Sequence, residues 1–144
     1  MPDHARRRVA FWYSTLSAMT ELGVTAVVYT FIFTAYRRDV FRIGLIAFAL
    51  TYEVLVNISY MTYRLFQTAP GVEHSAAMVR FLAFHGILSL VMFLGLVAFT
   101  IAAVREHRRG LNLFRQNPAM MWVFVVLWAV SILTGEAIYV LTYL

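Results

Sequence analysis

Four long apolar runs joined by short polar connections dictate what this chain can become. They cover about 10–36, 40–66, 76–104 and 118–144. Roughly 20 predominantly apolar residues suffice to cross a ~30 Å hydrocarbon core as a helix. Each run is longer, roughly 39 Å or more at 1.5 Å per residue, so the helices must tilt or project beyond the core. Of the 144 residues, 62% are hydrophobic and 13% charged. A soluble domain carries about 45–50% and 25%. The excess is too large for one buried core. The expected fold is therefore all-α: an integral membrane four-helix transmembrane bundle of antiparallel up-down neighbours. It forms a single transmembrane domain, 1–144, with no room for a soluble one.

The connections carry turn and capping chemistry. Arg6, Arg7 and Arg8 precede the first run, and Arg37 and Arg38 follow it. Phe11, Trp12 and Tyr13 place amphipathic rings at the headgroup level, and "MMWVFVVLW" repeats that signal at the start of the fourth run. Asp39 is the expected N-cap of the second helix. The short "RRD" connection makes the first two helices antiparallel neighbours. Pro70-Gly71 marks a turn. Ser75 is suited to cap the third helix, Gly110 to end it at C′, and Asn117-Pro118 to open the fourth as N-cap and N1. No small-residue cleavage site follows the basic N-terminus, so the first apolar run reads as a retained span.

All twelve basic residues are Arg, there is no Cys, and the net charge is +5. The absence of Cys excludes disulfides, thiolate metal sites and iron–sulfur clusters. A high pI in a membrane protein points to anionic lipid headgroups. No continuous basic face on a soluble module is visible, so nucleic acid is not an expected partner. Expected partners are the lipid bilayer, respiratory complex subunits or further copies of the chain. Four spans put both termini on one side. The two opposite loops hold seven arginines, Arg37, Arg38, Arg42, Arg105, Arg108, Arg109 and Arg115, against five on the terminal side. The positive-inside rule then puts loops 37–39 and 105–117 in the cytoplasm of a bacterial or archaeal cell and the termini outside.

Each run also holds one strongly polar ionisable residue: Glu21, Glu53, His85 and Glu136. A carboxylate at mid-helix costs about 2.5–3.5 kcal/mol on insertion scales, so such groups face the bundle interior and find partners. Counted from the terminal side, all four lie within a band of roughly 8 Å. Helical spacing of 3–4 residues extends each into a stripe. Ser14, Ser17, Glu21 and Thr25 share one face, and Glu53, Asn57 and Tyr60 another. His85, Ser89 and Met92 form the third stripe, and Glu136, Tyr139 and Tyr143 the fourth. The expected metal or proton site is Glu21, Glu53, Asn57, His85 and Glu136. Ser17, Ser89, Met92, Tyr60 and Tyr139 support it.

Three readings of that set stand side by side. It is a hydrogen-bonded structural network. Alternatively it is a metal or haem site, with donors suiting iron, manganese or zinc better than copper, since copper(I) prefers sulfur. Glu-x-x-His pairs of the di-iron type are missing, and two-histidine haem ligation would need His74 beside His85. Or it is a proton relay or cation-coupled transport site, since membrane carboxyls carry protons. His4 and His107 read as solvated, and Arg64 and Arg80 as snorkelling to headgroups.

The stretches "FLAFHGILSLVMFLGLVAFTIAAVREHRRGLNLFRQNPAMMW" and "LWAVSILTGEAIYVLTYL" carry His85, His107-Arg108-Arg109, Trp128, Thr134-Gly135 and Tyr139 in order. In this the last three spans resemble the YozB/CtaM-like family of small bacterial membrane proteins linked to terminal oxidase biogenesis. The resemblance implies an accessory or assembly role beside a haem-copper oxidase. The chain departs from the family pattern at Arg42 and Arg64, where histidines are expected, and in having Glu53 and Glu136. "AMTELGVT" is also loosely similar to the first span of small multidrug transporters, which implies the alternative of a proton-coupled small-molecule or metal-ion transporter. A stand-alone membrane metalloprotein or redox enzyme is the third class.

Overall fold

The computed structural model describes the backbone over 3–66 and 75–143, and the side chains of 12, 14–56, 59 and 75–141. It is helical, with no strand among the described residues. The elements are α1 (Asp3–Arg38), α2 (Ile43–Phe66), α3 (Ala76–Arg108), the single turn α4 (Leu113–Gln116) and α5 (Pro118–Tyr143). Among the described residues, Ser14–Arg38 of α1, all of α3, and Pro118–Leu141 of α5 are long and apolar enough to cross a membrane. α2 contributes a shorter apolar stretch, Ile43–Val56. The chain is an integral membrane protein. Its outer surface agrees: Leu16, Phe48, Leu55, Ile87, Leu94, Leu133 and Leu141 are all exposed. In water such a surface would be an aggregation liability; in a bilayer it faces lipid.

α1 packs against α2 and α5, and α3 packs against α5 and, more lightly, α2. Among the described residues α1 does not pack on α3, nor α2 on α5, so these pairs lie across the diagonals. α1 and α5 run antiparallel. Thr15 meets Tyr139, Thr25 meets Trp128, Tyr29 meets Val125, and Phe33 meets Trp122. α3 and α5 do the same through His85–Thr134, Ser89–Ser131 and Phe99–Phe124.

The apolar core lies toward the connections. Phe114, projecting from α4, is fully buried and sits edge-on to Phe31 at 6.0 Å. It also stacks near Phe99 and Phe41 at 6.1 and 6.3 Å. Phe124 continues the packing to Trp128. Val28, Ile32, Ala35, Ile46, Ala49, Leu96 and Met121 fill the spaces between rings.

The connections partly differ from expectation. Ser75 does cap α3, its side chain accepting from Met78 N. Gly110 ends that helix at φ +74, a conformation glycine adopts without steric cost. α5 begins at Pro118 as expected, but the Asn117 side chain donates backward to Leu113 O instead of capping forward. Asp39 is not the N-cap of α2, which starts four residues later at Ile43. It sits at φ +58, and its carboxylate accepts from Asn112 Nδ2 at 2.6 Å. The reason is tertiary. Asn112, buried and at the N-cap of α4, also donates to Ala35 O, while its Oδ1 accepts from Phe114 N and Arg115 N. The 105–117 connection, expected as plain polar loop, is thereby a clamp on the end of α1. His107 is not simply solvated; its ring stacks on Phe41 at 4.1 Å. The expected turn at Pro70-Gly71 and His74 lie outside the described residues.

Candidate functional site

Toward the end of the bundle away from these clamped connections, the interior changes from aromatic to polar. Gly135 on α5 is the point of closest approach. A Cβ added there would lie 2.9 Å from His85 Cε1, 3.4 Å from His85 Nε2 and 3.6 Å from Glu21 Oε2. Only a hydrogen at this position lets α1, α3 and α5 bring a carboxylate and an imidazole to one place. Glu53 from α2 and Glu136 from α5 lie within electrostatic range of the Glu21 carboxyl. Glu21 is thus the common neighbour, with His85 beside it at Gly135 and Glu53 and Glu136 acting on it electrostatically.

The hydrogen bonds around His85 fix its chemistry. Thr134 Oγ1 donates to the carbonyl of Ser131 at 2.8 Å, so its hydroxyl proton is already committed. It is then an acceptor for His85 Nδ1, 3.0 Å away. This puts a proton on Nδ1 and leaves Nε2 of the neutral ring as an acceptor. Ser89 Oγ lies 3.4 Å from Nε2 and 3.1 Å from Ser131 Oγ. The Ser89 contact to Nε2 is long and weak. His85 is therefore oriented from one side by Thr134 and only loosely engaged on the side that faces Gly135.

The four carboxyl and imidazole groups are not equally satisfied. Glu136 Oε1 is buried and has no hydrogen-bond partner among the described residues. A buried polar atom without a partner costs roughly 1–3 kcal/mol, and such atoms call for a reason. Farther toward the chain ends, Tyr139 and Thr15 share a 2.7 Å hydroxyl–hydroxyl bond between α5 and α1. In the other direction, Trp128 Nε1 donates to Thr25 Oγ1, which donates to Glu21 O. Trp128 closes the carboxyl and imidazole region, and beyond it the interior is mainly aromatic and aliphatic.

The remaining expected residues distribute as follows. Ser89 and Tyr139 take part as described. Ser17 is half-buried on the inward stripe of α1 and supplies its carbonyl to Thr20. Met92 belongs to the apolar core instead of the polar cluster, because one further turn of α3 passes the level of Trp128. The side chains of Asn57, Tyr60 and Tyr143 lie outside the described residues. Ser131, Thr134 and Thr15 were not anticipated, although Ser131 and Thr134 sit three apart on α5 immediately before Gly135-Glu136. That spacing of small polar residues on one face was the available signal. Among the described residues, no three His, Asp or Glu side chains are close enough to hold a metal ion together.

Fold and site define a class: an integral membrane helical bundle with a polar, carboxylate-rich interior confined to one half. No protein-family model, characterised protein or solved structure matches the chain.

Proposed function

We propose that the protein is a four-span membrane accessory or assembly protein of a respiratory complex of the haem-copper oxidase type, working through its intramembrane Glu/His/Asn site. The observation that carries the site is the approach of His85 to Glu21 at Gly135, with Glu53 and Glu136 within electrostatic range of the Glu21 carboxyl. Glu136 Oε1, within range of the Glu21 carboxyl, has no partner among the described residues, which packing alone does not call for. The resemblance of the last three spans to the YozB/CtaM-like family supports the oxidase partnership. In this reading the fourth span is α2 and both termini lie outside the cytoplasm of a bacterial or archaeal cell. The test is recovery of the tagged protein from native membranes. An oxidase subunit should co-purify, and recovery of no respiratory subunit overturns the proposal.

A second reading, a proton-coupled transporter, is favoured by one observation, the proximity of three carboxyls in the polar half. Glu21 and Glu136 would exchange a proton with the side that Tyr139 and Thr15 face. His85, held through Nδ1, would offer Nε2 as the neighbouring base. Glu21→Gln should then abolish substrate-driven proton movement in liposomes, and an unchanged signal rejects this reading. Elemental analysis and a visible spectrum of the purified protein decide the third class, a stand-alone metalloprotein.

A further inference from the structure

The connection side of the bundle carries a second feature, separate from the polar cluster. A groove of about 410 Å³ runs along the last three turns of α1, lined by Tyr29, Thr30, Phe33, Thr34, Arg37 and Arg38. It is shallow and open on its outer side, and its walls are held in place. Tyr29 OH donates to Val125 O at 2.9 Å and so ties the groove to α5. Phe33 is braced by the Trp122 ring at 5.7 Å and the Tyr29 ring at 6.1 Å. The Thr30 and Thr34 hydroxyls donate to carbonyls of their own helix, to Ala26, Thr30 and Phe31. The floor is therefore an apolar strip with its polar groups already satisfied, the surface an acyl chain prefers.

The two arginines complete it. A helix C-terminus normally attracts its own basic residues to the last unsatisfied carbonyls. Here Arg115 takes that role from another element, donating through Nε to Tyr36 O at 2.7 Å and through Nη2 to Arg37 O at 3.0 Å. Asn112 covers Ala35 O. Arg37 and Arg38 are thereby released. Both are exposed, and neither forms an ion pair or side-chain hydrogen bond among the described residues. The nearest acid in sequence, Asp39, is already bound to Asn112. Two adjacent guanidiniums at the end of a braced apolar groove, on a helix that spans the membrane, match one chemistry: a phosphate on an acyl chain. From this the geometry points to a bound anionic phospholipid, its headgroup on Arg37 and Arg38 and one chain along Phe33 and Tyr29.

The test uses the full-length protein in neutral detergent, titrated with phosphatidylglycerol and, separately, with phosphatidylcholine, with bound lipid read by native mass spectrometry. Phosphatidylglycerol should be retained in preference to phosphatidylcholine. The double variant Arg37→Gln/Arg38→Gln should bind it about 30-fold more weakly, as expected for two surface arginines. Arg108→Gln/Arg109→Gln, which removes equal charge from the same face, should change binding by less than threefold. Thr30→Trp, which fills the groove and leaves both guanidiniums, should also lower retention. Equal losses in the two double variants would mean diffuse charge attraction and overturn the site. So would absence of any headgroup preference, or displacement of the lipid by millimolar inorganic phosphate alone. If Arg37→Gln/Arg38→Gln keeps its lipid but loses a co-purifying protein, the groove is a protein contact and the lipid assignment fails.

Discussion

The two halves of this bundle solve the same problem in opposite ways. At the connection end a polar clamp ties the helices together, with Thr100 Oγ1 the one buried side-chain atom there without a partner among the described residues: Asn112 alone makes four contacts, to Ala35 O, Asp39, Phe114 N and Arg115 N. Around that clamp the packing is aromatic and closed. At the other end the helices carry carboxyls and an imidazole inward, leave Glu136 Oε1 without a partner among the described residues, and hold His85 by one short and one long contact. A fully satisfied network rigidifies; a partly satisfied one is retained at a cost. The contrast sets a closed, aromatic clamp at the connection end against an open set of ionisable groups at the polar end, where the proposed function is placed.

That division can be broken by substitution. Removing the ring at the centre of the closed half should have the largest effect: Phe114→Ala should cost about 3–5 kcal/mol, read as loss of helical circular dichroism on unfolding in detergent micelles. Asn112→Ala comes next, at about 2 kcal/mol, because it removes the N-cap of α4 and both donations of its side chain, to Ala35 O and Asp39. Asn112→Asp should not rescue it, since the carboxylate would face Asp39 and donate nothing. Gly135→Ala should cost about 1–2 kcal/mol by forcing His85 aside, and the imidazole NMR resonances of His85 should shift with it. Gly86→Ala, which has nothing within 4 Å, should do neither. The smallest effect is expected at Thr134→Val, about 0.6 kcal/mol, the average for an interhelical hydrogen bond in a membrane. If Thr134→Val and Asn112→Ala proved equally damaging, the two halves would not differ as argued.

Legibility follows the range of the interactions. Ser75 and Gly110 were readable because a cap bonds within its own turn. Asp39 was misread because its partner, Asn112, lies 73 positions away and its role is set across helices. The stacking of Phe41 on the exposed His107 ring was out of reach for the same reason, since Phe41 comes from another connection. Within the polar cluster, helical spacing and depth pointed to Glu21, Glu53, His85 and Glu136, because the insertion cost of each acts on its own helix. Met92 was placed wrongly and Ser131 and Thr134 were overlooked, because periodicity defines a stripe but not how far along it the polar environment extends.

By itself, then, the sequence determines an all-helical membrane protein with one ionisable residue per apolar run. Hydrophobicity and backbone hydrogen bonding act locally and leave no other spanning structure for such runs. Tertiary structure alone decides that Gly135 is where His85 and Glu21 meet, that the Thr134 hydroxyl sets the His85 tautomer, and that Arg115 frees Arg37 and Arg38. Each of those depends on the rotation and register of one helix against another, and these are set only when side chains from different runs pack together.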